Sequence, residues 1–376
     1  MQSIQPLVST GSKTVAGPLS AAVICLIIYA SLYPFGDWRD QGISPLTFLT
    51  APWPRYLASF DVAVNVAGYA PLGFLLALVS LRSGRTALAL TAAVLCGALL
   101  SLCMETLQSY LPSRIPSNVD LALNIVGTAL GACTAWALDR LGVIGTWSRF
   151  QARWFAPDAR GALALLLLWP VALLFPAPVS MGLGQVLERL EIALAGALEG
   201  TPFIDWLPLR DIELQPLVPG VELVCVALGV LTPILLGYCV IRTAKQRAVF
   251  AVLALAAGMG ASALSAALSY GPEHAWAWLD APVRVGLALA AVLALLTLPL
   301  RRRGAAALAL LVLSIQLALL NQAPASAYFA QTLQTWEQGR FIRFHGLAQW
   351  LGWLWPYAAL LYLLARLSAH TDPADT

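Results

Sequence analysis

Charge is scarce in this chain. Only 11% of its 376 residues are Asp, Glu, Lys or Arg, where a soluble domain carries roughly a quarter. Histidine is scarcer still, at three residues, and none of the six cysteines (25, 96, 103, 133, 225 and 239) belongs to a Cys-x-x-Cys pair. There is no nucleophile motif, no His–Cys cluster, no phosphate-cradling glycine loop and no Asp-rich metal signature. These absences exclude a soluble globular domain, a zinc module and a disulfide scaffold. No metal is expected, and the cysteines read as small apolar packing residues. The net charge of +3 does not point to nucleic acid, because the basic residues sit in short clusters between apolar runs.

What fills the chain is hydrocarbon: 59% of residues are hydrophobic and the mean hydropathy is +0.76. That composition belongs to an integral membrane protein. A crossing helix needs about 20 apolar residues. On that ruler the fold class is an all-α polytopic helical bundle of about ten transmembrane helices, near 17–35, 61–81, 86–107, 119–138, 161–178, 219–241, 248–270, 281–299, 304–321 and 349–367. The first run follows a leader whose one charge is Lys13. A cleaved signal peptide is the competing reading there, and an uncleaved span is favoured because no small-x-small site precedes a polar region.

Lys and Arg crowd one set of connections, among them Arg82, Arg85, Arg140, Arg149, Arg153, Arg160, Arg242, Lys245, Arg247 and Arg301 to Arg303. Arg39, Arg55, Arg114, Arg189, Arg210, Arg284, Arg340 and Arg343 fall in the alternate, longer loops. By the positive-inside rule both termini are cytoplasmic. The expected organisation is a leader (1–16), a four-helix domain (17–140), a basic cytoplasmic linker (141–160), a six-helix region (161–367) and a tail (368–376). Trp38, Trp53, Trp206, Trp276, Trp278, Trp336, Trp350, Trp353 and Trp355 gather toward the outer side, as interfacial anchors do. Leu187, Leu190, Leu194 and Leu198 recur at helical spacing, which predicts a short amphipathic helix. The polar and aromatic loop 322–348, around Arg340 and His345, reads as interfacial structure or a lid.

One phrase occurs twice. Asp61-Val-Ala-Val-Asn65-Val-Ala-Gly68 returns as Asp120-Leu-Ala-Leu-Asn124-Ile-Val-Gly127, and each copy runs on to a second glycine, Gly73 and Gly131. Residues four apart share a helix face. Carboxylates and amides in hydrocarbon usually turn inward and mark function. The intervening helix ends on Glu105 and Gln108, and the loop after it carries Arg114 between Pro112 and Pro116. Asp61, Asn65, Glu105, Gln108, Arg114, Asp120 and Asn124 are therefore expected to line one outer-leaflet pocket. Gly68, Gly73, Gly127 and Gly131 would let the helices approach below it. A carboxylate at a helix C-terminus is disfavoured by the dipole, so Glu105 should have a partner, and Arg114 is nearest in sequence. Two plainer readings compete: each Asp as an N-terminal cap, or polar helix packing with no ligand.

The same ordered residues resemble the VanZ-like membrane proteins: Asn65-Val-Ala-Gly-Tyr-Ala-Pro71-Leu-Gly73, Glu105-x-x-Gln108, Arg114-x-Pro116, Asp120-x-x-x-Asn124-x-x-Gly127 and Gly131. The resemblance covers about residues 18–140. It implies a protein of the bacterial cytoplasmic (inner) membrane tied to the cell envelope, in a family whose namesake accompanies teicoplanin resistance. By carry-over, Asn65, Glu105, Gln108, Arg114, Asp120 and Asn124 match the family's polar positions. Many members carry Asp-Lys-x-x-His in the earlier helix; Val62 and Asn65 stand there instead, so any proton transfer by that His is absent.

The leading expectation is a pocket that binds or modifies an amphiphilic envelope molecule: a lipid-linked cell-wall or polysaccharide intermediate, or a lipoglycopeptide. An enzyme using Glu105 or Asp120 as acid or base, a parallel-repeat transporter and an assembly partner stay open as alternatives. The sequence names no cofactor. The expected partners are the lipid bilayer, a lipid-linked intermediate or an envelope-assembly protein.

Overall fold

The computed structural model describes residues 15–33, 35–53, 59–81, 86–175, 177–206, 217–323 and 342–369. Arg55, Arg82, Arg85, Arg210, Arg340 and the core of the expected lid at 324–341, with Trp336, lie outside them. Among the described residues all regular structure is helical: α1 (Ala16–Leu32), α2 (Ser59–Leu81), α3 (Thr86–Gln108), α4 (Asn118–Arg140), α5 (Val143–Trp154), α6 (Arg160–Ala172), α7 (Leu187–Leu198), α8 (Pro219–Tyr238), α9 (Ala244–Tyr270), α10 (Ala281–Leu296), α11 (Arg302–Leu320) and α12 (Ile342–Ser368). Six of these are long and apolar enough to cross a membrane: α2, α3, α4, α8, α9 and α11. The shorter apolar helices are α1, α6 and α10. α6 stops at Ala172, short of the expected 178. The sequence gives the reason, since prolines at 176 and 178 disfavour helix in the residues before them.

The chain forms two compact units, Met1–Arg153 and Trp154–Thr376. In the first, α2 packs chiefly on α4, with α3 against both and α1 against α2 and α3. Paired positions advance together along α2 and α4 (Val66 with Gly127, Ala70 with Gly131), so the two helices run parallel. Glycine makes the approach possible. A Cβ on Gly73 would land on the Thr128 backbone, one on Gly127 on Val66, and one on Gly131 on Ala70. Gly68 takes no part, for a Cβ there meets nothing. The doubled phrase thus supplies one helix with a close-contact glycine at that register and leaves its counterpart facing away. Below the glycines, Ala77, Ala89, Ala93, Ala132 and Ala135 form a small-residue core, and Ile27, Leu32, Tyr69, Leu72, Met104 and Leu111 form a larger one beside it.

The expected linker 141–160 contains α5. Val143, Trp147 and Phe150 recur at three- and four-residue steps, and all three are exposed. This is an amphipathic helix that a count of basic residues passes over.

In the second unit α8 is the centre, buried along most of its length and packed against α6, α9, α10 and α11. α12 packs on α6 and α11. The turn after α8 is closed by the buried Arg247 on α9, which donates to the carbonyls of Tyr238 (2.9 Å), Ile241 (3.4 Å), Leu298 (2.9 Å) and Leu300 (2.5 Å). Thr243 and Gln246 form a capping box at the start of α9. Arg366 reaches Asp158 and the carbonyl of Cys239. The predicted amphipathic helix is α7; Leu187, Leu190 and Leu194 are exposed on it. Trp355, counted among the interfacial tryptophans, is buried and donates to the Leu165 carbonyl at 2.7 Å. Of the cysteines, only Cys225 and Cys239 are buried; Cys25, Cys96, Cys103 and Cys133 lie exposed on their helices, and all six are free thiols.

Candidate functional site

Three helices of the first unit each bring a polar pair one turn apart, Asn65/Tyr69 on α2, Ser101/Glu105 on α3 and Asp120/Asn124 on α4. Because α3 runs against the other two, the six side chains sort into two layers. Nearer the 109–117 connection, Asn65 Nδ2 donates to Asp120 Oδ1 at 2.9 Å, and Asp120 lies close enough to Glu105 for their charges to interact. One turn deeper, Asn124 Nδ2 donates to Ser101 Oγ at 2.9 Å, and the Tyr69 hydroxyl faces Ser101.

Ser117 explains the local turn. Its Oγ caps α4, accepting from the N–H groups of Val119 and Asp120 at 3.2 and 3.3 Å. A helix start of this kind commonly has an acid at its third position reaching back to the cap's own N–H. Here that position is Asp120, and Glu105 from α3 does the work: its Oε2 accepts from Ser117 N at 2.8 Å. The partner expected for Glu105 was Arg114, and the two make no ion pair. Arg114 instead closes the end of α1, donating to the carbonyls of Tyr33 (3.1 and 2.6 Å) and Ala30 (3.3 Å). Gln108 does likewise, through Nε2 to the Ser31 carbonyl at 2.9 Å. A helix C-terminus leaves its last carbonyls unmet, and a guanidinium next to it satisfies them.

Of the seven expected pocket residues, Asn65, Glu105, Asp120 and Asn124 come together in the interior. Gln108 and Arg114 adjoin them but bind α1, and Asp61 is exposed at the start of α2. Asp120 is not the cap of its helix, so the capping reading fails for it. Sequence reasoning missed Tyr69, Ser101 and Ser117. The first two stand one turn from Asn65 and Glu105, so helical periodicity pointed to both. It also missed the cover over this end of the unit. Gln41 Nε2 donates to the Ser109 carbonyl (2.7 Å), Arg39 N to the Tyr110 carbonyl (3.0 Å) and Asn118 Nδ2 to the Ala51 carbonyl (2.6 Å), while Phe48 is buried.

Two buried atoms of the inner layer have no hydrogen-bond partner among the described residues: Tyr69 Oη and Asn124 Oδ1. Native interiors hold few such atoms.

The second unit has a narrow cavity of ≈ 20 Å³, room for about one water molecule. Gln185, Gln349 and Trp353 line it between the 175–185 segment and α12. Gln185 Nε2 donates to the Ala323 carbonyl at 2.7 Å, and its Oε1 is buried without a partner. Arg189 lies over the Trp353 ring at 5.0 Å. No group of three or more His, Cys, Asp or Glu among the described residues is placed to hold a metal ion.

No curated protein and no solved structure matches the chain. Residues 13–139 match the family model described as VanZ/LLP1, the stretch that holds both polar layers. With six helices able to cross a membrane, this is a multi-pass membrane protein whose first unit carries a VanZ-like domain.

Proposed function

We propose that the first unit holds the polar head of an amphiphilic cell-envelope molecule, a lipid-linked cell-wall or polysaccharide intermediate or a lipoglycopeptide, at the outer leaflet of the bacterial inner membrane. The observation that carries this reading is the Asn65–Asp120 contact beside the buried Glu105. Polar side chains from three apolar helices meet there, at the end covered by residues 39–51. Carboxylates and an amide of this kind accept from and donate to amine, amide or sugar-hydroxyl groups. The reading takes the chain to cross ten times with both termini in the cytoplasm, as the distribution of Lys and Arg supports. On that topology, the covered end of α2, α3 and α4 faces outward, and a ligand tail would lie along the exposed apolar faces of the same helices.

The test is crosslinking with a photoreactive lipid-linked intermediate in membranes. Wild-type protein is expected to label within the first unit, and the double variant Glu105→Gln/Asp120→Asn to label weakly. Equal labelling of the two would sink the proposal.

A further inference from the structure

Below the Asn65–Asp120 contact, Tyr69, Ser101 and Asn124 carry chemistry that an envelope head group does not use, and Glu105 borders both layers. Tyr69, Ser101, Glu105 and Asn124 are all buried, at 5, 0, 4 and 4% exposure; the Tyr69 hydroxyl and the Asn124 amide both lie beside Ser101, one turn along α3 from Glu105. Tyr69 Oη and Asn124 Oδ1 are buried without a hydrogen bond of good geometry among the described residues, and Ser101 Oγ, which the Tyr69 hydroxyl faces, accepts from Asn124 Nδ2. Glu105 receives a single backbone N–H and makes no ion pair among the described residues. Hydrogen bonds alone would be met by a water molecule. The charge would not: a carboxyl group inside hydrocarbon either takes up a proton or is compensated by an opposite charge, and a bound cation is what would hold it ionised.

We infer that Tyr69, Ser101, Glu105 and Asn124 form a binding site for a dehydrated monovalent cation of sodium's size and hardness. Oxygen-only ligands suit hard cations. One carboxylate among three neutral oxygens balances a single positive charge, whereas a calcium site draws six to eight oxygens and usually several carboxylates. Asp120 is held by Asn65 in the layer above, one helical turn from Asn124 on the same helix. The inference does not depend on which envelope molecule binds, or on whether one does.

The full chain, purified in detergent without added lipid, is unfolded thermally in sodium, potassium and choline chloride at equal ionic strength, alongside sodium NMR line widths. The expected result is a midpoint several degrees higher in sodium than in choline, saturating with concentration, together with broadened sodium resonance. Glu105→Gln and Ser101→Ala are each expected to weaken the sodium response about tenfold or more; Ser101→Ala preserves volume and decides the matter should Glu105→Gln not fold. Equal midpoints in all three salts without line broadening would overturn the inference in favour of a water or a ligand hydroxyl. So would an undiminished sodium response in a folded variant.

Discussion

In the second unit the buried Arg247 donates to four backbone carbonyls from two stretches of chain, while in the first unit the buried Glu105 accepts one backbone N–H. Among the described residues each unit also buries two polar side-chain atoms without a hydrogen-bond partner, but their settings differ. Trp169 packs on Gly258 and Gln185 lines a cavity with Trp353, with no carboxylate among the lining residues. Tyr69 and Asn124 both adjoin Ser101, one turn along α3 from Glu105. A saturated buried charge closes a fold. A buried carboxyl with one hydrogen bond and idle oxygens around it keeps capacity for something else, and that contrast favours the first unit as the place of the proposed site.

The contrast breaks most severely at the helix contact. Gly131→Leu places a side chain where the Ala70 carbonyl and Phe74 N–H stand, so α2 and α4 must part. Loss of the folded first unit is expected, a penalty of about 4 kcal/mol or more. Limited proteolysis should then degrade residues before 153 and spare the second unit.

Arg247→Met tests the other side. It strips donors from the carbonyls of Tyr238, Ile241, Leu298 and Leu300 and is expected to destabilise the second unit by about 3 kcal/mol. Photolabelling at the first unit should persist, and its disappearance would mean the units do not divide the labour this way. A smaller effect, about 1 kcal/mol, is expected for Ser117→Ala, which removes the α4 cap but keeps the N–H that Glu105 accepts. Reversible unfolding in mixed micelles measures it. Least of all, Gly68→Ala should shift stability within about 0.5 kcal/mol, because a methyl there meets nothing. A large loss at Gly68 would show that the doubled phrase packs through both copies.

The doubled phrase made the shared helix faces legible, because a four-residue spacing fixes a face whatever the tertiary context. Asn65, Asp120 and Asn124 follow from it, and Glu105 from the end of the helix between the two copies. The partner of Glu105 did not, since proximity in sequence ranks charges by distance along the chain and ignores a helix end with open carbonyls nearby. Arg114 went to that end. Arg247 shows the same blindness in another form: counted as a loop cation, it is only 6% exposed. The stripe Val143, Trp147 and Phe150 was present in the sequence, but Arg149 within it and Arg140, Arg153 and Arg160 around it drew the reading to charge instead.

The end of α1 holds a lesson about how this protein is made. Carbonyls at Ala30, Ser31 and Tyr33 receive their donors from Gln108 and Arg114, 77 to 84 residues downstream. α1 thus stays unfinished at one end until α2, α3 and the loop after them have folded against it. Until then water must meet those carbonyls, so the order of assembly within this unit is written into one helix end.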